Sequence, residues 1–218
     1  MNHKNYIKGG IYLIIDPSQE HAKVIKNLEQ LVSQPIAAVQ IWDILKEVKN
    51  AGKLIGDICK LCHDHGIPVL INNRWENLHH LPLDGVHFDQ IPNNLSEIRK
   101  EINRDFICGI TCNNDLKVVK WAEQNRIDYI SFCSIFPSST SNSCELVSFD
   151  TIKKARKITS MPIFLAGGIK PENIANLKEL PYNGIAVVSG IMSAAQPDQA
   201  LNNYHKKIMI NRNENINH

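Results

Sequence analysis

The sequence predicts a single-domain (β/α)₈ barrel over residues 1–210, and three observations predict it. Eight short apolar runs rich in branched residues alternate with stretches of helical periodicity. No block of strands alone or helices alone interrupts that alternation, which favours one closed parallel sheet over an α+β fold. The last two runs, PIFLAGGI from Pro162 and GIAVVSG from Gly184, end in small-residue turns, where barrels of this class often hold a phosphate. At 218 residues the chain is near the short limit for the architecture, roughly 200 residues and upward.

The first strand is GIYLIID from Gly10, followed by a helix with Val24, Leu28 and Leu31 on one face. AAVQIW from Ala37 is the second, and the helix after it carries Ile55, Ile58 and Leu61 and is closed by Gly66. PVLINN from Pro68 and DGVHFD from Asp84 follow, with a short connection between them. The next connection, Leu95 to Ile102, is scarcely two turns long and leads to FICGITC from Phe106. A helix with Leu116, Val119, Trp121 and Ala122 precedes YISFCSIF from Tyr129, and the two terminal strands complete the set. Continuous rather than alternating apolarity marks strands covered on both faces. A doubly wound open sheet is the alternative, but no G-x-G-x-x-G follows the first strand. The polar tail NRNENINH, residues 211–218, is expected to fray.

Composition excludes several functions. Lys and Arg number 24 against 22 Asp and Glu, a formal charge of +2, too small for a nucleic-acid partner. No uninterrupted apolar stretch of about 18 residues exists, and MNHKNYIKGG lacks the apolar core of a signal peptide, so no membrane association and a cytosolic location are expected. The 6 cysteines should then remain thiols. Cys59, Cys62 and His63 spell C-x-x-C-H, which can mark haem attachment. Their place at a helix end, without export, favours buried thiols, and no second C-x-x-C completes a zinc site. His79 and His80 read as solvated surface, and no metal site is assigned. An apolar helix face serves equally for packing on the barrel or on a second subunit, so the oligomeric state is left open.

In such a barrel the chemistry belongs at the C-terminal ends of the strands. That rule selects Asp16, Gln40 with Trp42, Asn72 with Asn73 and Arg74, His87 with Asp89 and Gln90, Thr111 with Cys112, Ser138 to Ser141, and the two glycine turns. Gly167, Gly168, Ser189 and Gly190 form the candidate phosphate cup, since glycine lets backbone N–H groups approach an anion at two adjacent helix N-termini. Gln40, Asn72, Asn73, Thr111, Ser138 and Thr140 are candidate substrate-binding residues. Most are neutral hydrogen-bonders, suited to a phosphorylated heterocycle rather than to hydrolysis. Asp84 is assigned to the opposite end, holding the loop into the fourth strand.

The order INNR, DGVHFDQ, GITCNN, SFCSIFPSST, LAGGIKPENI and GIAVVSGIMSA closely resembles the thiamine phosphate synthase and TenI superfamily of small (β/α)₈ barrels. The resemblance runs from the first strand to the last helix. It implies a transferase joining an aminopyrimidine diphosphate to a thiazole phosphate, with Mg²⁺ and cationic side chains neutralising the departing pyrophosphate. Five charged positions carry that duty in the family motifs, and this chain departs at each. Trp42 and Ile44 replace the Arg and Lys two and four residues beyond Gln40, and Asn73 replaces a metal-binding Asp. Pro92 stands for the second metal carboxylate and Ser141 for a loop Lys.

Removing one preorganised electrostatic interaction from an active site costs about 2.7 to 4 kcal/mol, so five such departures leave little synthase activity. TenI-type relatives likewise depart from the metal motif, and some move a proton on a thiazole phosphate. Their catalytic His falls here on Asn113, which leaves His87 or Cys112 as substitute acid and base. The expectation is therefore TenI-like proton transfer without a cofactor. The alternatives are a synthase with a relocated Mg²⁺ site, drawing on Asp16, Asp89 and Arg74, and a non-catalytic thiamine-phosphate-binding module.

Overall fold

In the computed structural model, which describes residues 7–43, 50–137 and 145–216, eight parallel strands close into a barrel in chain order. They are β1 (Gly10–Ile15), β2 (Ile36–Ile41), β3 (Val69–Asn72), β4 (Gly85–Phe88), β5 (Ile107–Thr111), β6 (Tyr129–Cys133), β7 (Ile163–Ala166) and β8 (Gly184–Val187). Closure is made by β1 on β8, where Tyr12 lies beside Ala186. The outer layer holds α1 (His21–Glu29), α2 (Ala51–His63), α3 (Leu95–Ile102), α4 (Leu116–Gln124), α5 (Phe149–Ile158), the single turn α6 (Ser189–Met192) and the long α7 (Pro197–Ile216). The third and seventh connections contain only short 3₁₀ segments, Trp75–His79 and Ile174–Leu177.

Two cores follow from the period of two along each strand. One set of side chains, including Leu13, Val39, Ile71, Val86, Ile110, Phe132, Leu165 and Ile185, packs outward against Leu28, Ile58, Val119 and Ile152 of the helices. The other set faces the barrel axis, with Tyr12, Leu70, Ile107, Tyr129 and Phe164 filling its lower part. Glycine is required on this inner face: a Cβ on Gly109 would stand inside the Tyr129 ring, and one on Gly184 would meet the Phe164 ring. Large rings opposite absent side chains keep the narrow interior filled without strain.

The helix over Cys59 and Cys62 ends as expected, with Gly66 at φ +70° and the Ile67 N–H returning to the Cys62 carbonyl at 3.0 Å. Both thiols lie in the core between α2 and the sheet, and burial raises each to about 12. His63 instead meets the Asp84 carboxylate at 2.8 Å, and that carboxylate also accepts from the Val69 N–H, which fixes the entry to β4. One expectation is corrected at the C-terminus. The segment from Asn211 does not fray at once but continues α7 to Ile216, with Asn211 buried and donating to the Tyr182 hydroxyl. No helix among the described residues is long and apolar enough to cross a membrane.

Candidate functional site

At the C-terminal ends of the strands the inner face turns polar and opens into a cavity of about 520 Å³. Its position follows from strand register, which sets Gln40 above Ala38, Asn72 beside His87, and Thr111 beside Ser131. Gln40, Asn72, His87, Thr111, Gly167, Gly168, Ser189 and Gly190 all line it, so most of the residues selected from the sequence are brought together. Trp42 stands at the rim. Ser138, Thr140, Ile44 and Ser141 lie outside the described residues.

The floor is a buried hydrogen-bonded chain. The Tyr12 hydroxyl lies 2.8 Å from both Gln40 Oε1 and the Tyr129 hydroxyl. Tyr129 in turn is 2.8 Å from His87 Nδ1, and His87 Nε2 is 2.9 Å from Thr111 Oγ1. Burial drives the His87 pKa down to about 4, against the opposing pull of the Asp89 carboxylate, so the ring is neutral near pH 7. Burial likewise holds both tyrosines well above their usual range.

Two catalytic expectations change. His87 reaches the cavity, but both its nitrogens are spent within the protein and its basicity is low, so it is a poor acid or base. Cys112 does not line the cavity. It follows the inward-facing Thr111 by one residue, and the strand period turns it into the outer core, where burial and the Asp115 carboxylate raise its thiol to about 12.

The glycine turns differ from the expected pair of helix N-termini. After Gly168 there is a turn, and only a 3₁₀ segment at Ile174, so the one helical turn opening at the cup is α6. Gly167 and Gly168 have φ of +87° and +66°. Added Cβ atoms there would press on Ser134 and on the Phe136 carbonyl, so these glycines also seat the loop after β6. Gly190 makes room for Tyr204, whose hydroxyl donates to the Ile169 carbonyl.

Asn73 belongs to an adjoining groove of about 530 Å³, which Pro92 also lines. Its amide binds Asp89 in both directions, Nδ2 donating to the carboxylate at 2.8 Å and Oδ1 accepting from the Asp89 N–H at 2.9 Å. Arg74 is engaged by Asp43 at 2.6 Å, and Asp16 accepts from Ser18. Asp16, Asp89 and Arg74 therefore build no common site. Among the described residues, no group of three or more His, Cys, Asp or Glu side chains could hold a metal ion.

Sequence reading missed Tyr12, Tyr129, Ser131 and Lys170, which all line the cavity. None of the first three lies at the C-terminal end of its strand: Tyr12 and Ser131 are interior and Tyr129 opens β6, so the strand-end rule passes over them. Lys170, the one ammonium among the described lining residues, follows the glycine turn with no pattern to mark it.

The comparisons agree with the fold. The family model described as thiamine monophosphate synthase, TMP-TENI, matches residues 11–191. A thiamine-phosphate synthase of Nitrosococcus oceani is 30% identical over 85% of this chain and 86% of its own length. One of Methanobrevibacter smithii is 27% identical over 93% and 97%. Among solved structures, a thiamine phosphate pyrophosphorylase from Pyrococcus furiosus superposes with a TM-score of 0.77 at 20% identity, covering 97% of this chain and all of that one. With most of its barrel matched by that family, the chain belongs to the thiamine monophosphate synthase (TMP-TENI) family of thiamine biosynthesis.

Proposed function

We propose that this family member binds a thiazole phosphate or thiamine phosphate at the barrel mouth and acts in the TenI manner, moving a proton on the ring without a metal. One observation carries the reading: apart from Lys170 and Asp89, the described cavity lining is neutral. A phosphate monoester is satisfied by backbone amides of the Gly167–Gly168 turn, Ser189, Gly190 and one ammonium. Expelling a diphosphate needs more positive charge than this, and Mg²⁺ does not fit the donors present, since Asn73 and Pro92 replace carboxylates in the adjoining groove.

The proton has to be taken and returned by a group at the cavity. With Cys112 facing outward and His87 tied at both nitrogens, that role falls to Asp89, the one carboxylate among the described lining residues, steadied by Asn73. The Asp89→Asn variant should bind thiazole phosphate and fail to isomerise it.

The second reading, thiamine-phosphate synthase, is favoured by the names of the relatives. A thermal-shift series separates the two. Thiazole phosphate and thiamine phosphate should raise the melting temperature equally with and without Mg²⁺, while the aminopyrimidine diphosphate should not. Thiamine phosphate formed from both substrates with Mg²⁺ would overturn the metal-free reading in favour of the synthase.

A further inference from the structure

From Asn72 to His87 the hydrogen bonds on the cavity floor have only one consistent direction, and it can be worked out from an acceptor that cannot donate. The Asn72 amide nitrogen faces the backbone carbonyl of His87 at 3.4 Å, so Asn72 Oδ1 faces Gln40 and accepts from Gln40 Nε2 at 3.1 Å. Gln40 therefore turns Oε1 to Tyr12, whose single hydroxyl proton is spent there. Tyr12 can then only accept from Tyr129, and Tyr129, its own proton spent, can only accept from His87 Nδ1. This fixes the neutral ring as the Nδ1–H tautomer and leaves Nε2 bare. Thr111, the nearer hydroxyl, donates to Nε2 at 2.9 Å, while the Ser131 hydroxyl lies 3.1 Å from Thr111 Oγ1 and 3.4 Å from Nε2.

The hydroxyl protons of Tyr12, Tyr129 and Thr111 are then used inside the protein. Thr111, which lines the cavity, has only lone pairs to offer. Resting on the reading of this cavity as the ligand site, we propose that His87 is a specificity-determining positioning residue. Its tautomer, set from Tyr12 through Tyr129, makes Thr111 an obligate acceptor, so the floor selects a ring bearing an N–H or O–H donor there. A site built to accept a hydrogen bond discriminates against an isostere lacking the donor, because its own lone pairs stay unpaired.

The test uses the unliganded full chain. Long-range ¹H–¹⁵N correlation at neutral pH should show His87 protonated on Nδ1. Tyr12→Phe frees the Tyr129 proton to turn toward Nδ1, and His87 should switch to Nε2–H although nothing touching its ring has been changed. Binding of 2-aminothiazole and 2-methylthiazole, followed by NMR titration, supplies the functional readout. The amino compound should be preferred about tenfold in the wild type, and the preference should fall below about threefold in Tyr12→Phe, where Thr111 can donate. An imidazolium or Nε2–H ring in the wild type would overturn the proposal, and that reading needs no variant to fold. An unchanged tautomer in folded Tyr12→Phe, or no preference between the two thiazoles, would also overturn it. Failure of thiazole phosphate to bind leaves the tautomer result intact and instead counts against the proposed function.

Discussion

An aspartate at Ser189 should weaken binding of a phosphate monoester about thirtyfold while leaving the barrel folded. Ser189 is exposed and opens the single turn α6, so a carboxylate there costs no packing, and an acidic residue suits the first position of a helix. A phosphate held by the two glycine turns would lie within about 4 Å of the new charge. At that distance two unit charges repel by about 1 kcal/mol even in bulk water, so a dianion loses about 2 kcal/mol, which is about thirtyfold in Kd. The partly enclosed mouth has a lower effective dielectric and pushes the loss upward. Calorimetry with thiazole phosphate and with inorganic phosphate would read the affinity, and the melting temperature without ligand would verify the fold. Undiminished affinity in the folded variant would refute the placement of the phosphate. Aspartate at Gly168 is a poorer probe, because a Cβ there stands 2.5 Å from the Phe136 carbonyl oxygen on a backbone with φ +66°. Diminished binding would then mix repulsion with a displaced loop.

Three further outcomes follow from the same geometry. The neutral His87 has a pKa of about 4 in the folded chain against an ordinary 6.5. The unfolded chain therefore binds the extra proton first, and stability falls as pH drops through that window, by about 3 kcal/mol at 1.36 kcal/mol per pH unit. Denaturant midpoints of wild type and His87→Gln at pH 7 and pH 4.5 should differ in pH slope, and parallel curves would refute the burial argument. Gly109→Ala forces a methyl group into the Tyr129 ring and should cost about 3 kcal/mol in urea unfolding, whereas a neutral effect would mean that the ring has room to move. Lys170→Gln should weaken thiazole phosphate about fivefold, about 1 kcal/mol, and flatten the salt dependence of binding. Identical salt slopes would place the ammonium away from the phosphate.

The architecture was legible because apolar runs and helical periodicity are local signals, and a barrel repeats them eight times in a simple order. The strand-end rule also found Gln40, Asn72, His87, Thr111 and both glycine turns, since closure of the sheet brings all strand ends to one face. It failed for Cys112 because neighbours on a strand point to opposite faces, and a run such as FICGITC, apolar on both, hides which residue turns inward. Tyr12 and Tyr129 were invisible as site residues for a related reason: within a strand they read as core, and their hydroxyls meet only after the chain has folded β1 against β6 across the barrel.

Sequence alone determined the eight-fold alternation, the family motifs and the substitution of neutral residues at Trp42, Asn73 and Pro92. Tertiary structure decided what those residues do. It sent Asn73 to Asp89, occupied Arg74 with Asp43, and joined side chains from five strands into one buried polar chain. The physical reason is that hydrogen bonds and burial depend on which atoms converge in space, and the convergence of residues as distant as Tyr12 and Tyr129 exists only in the closed barrel.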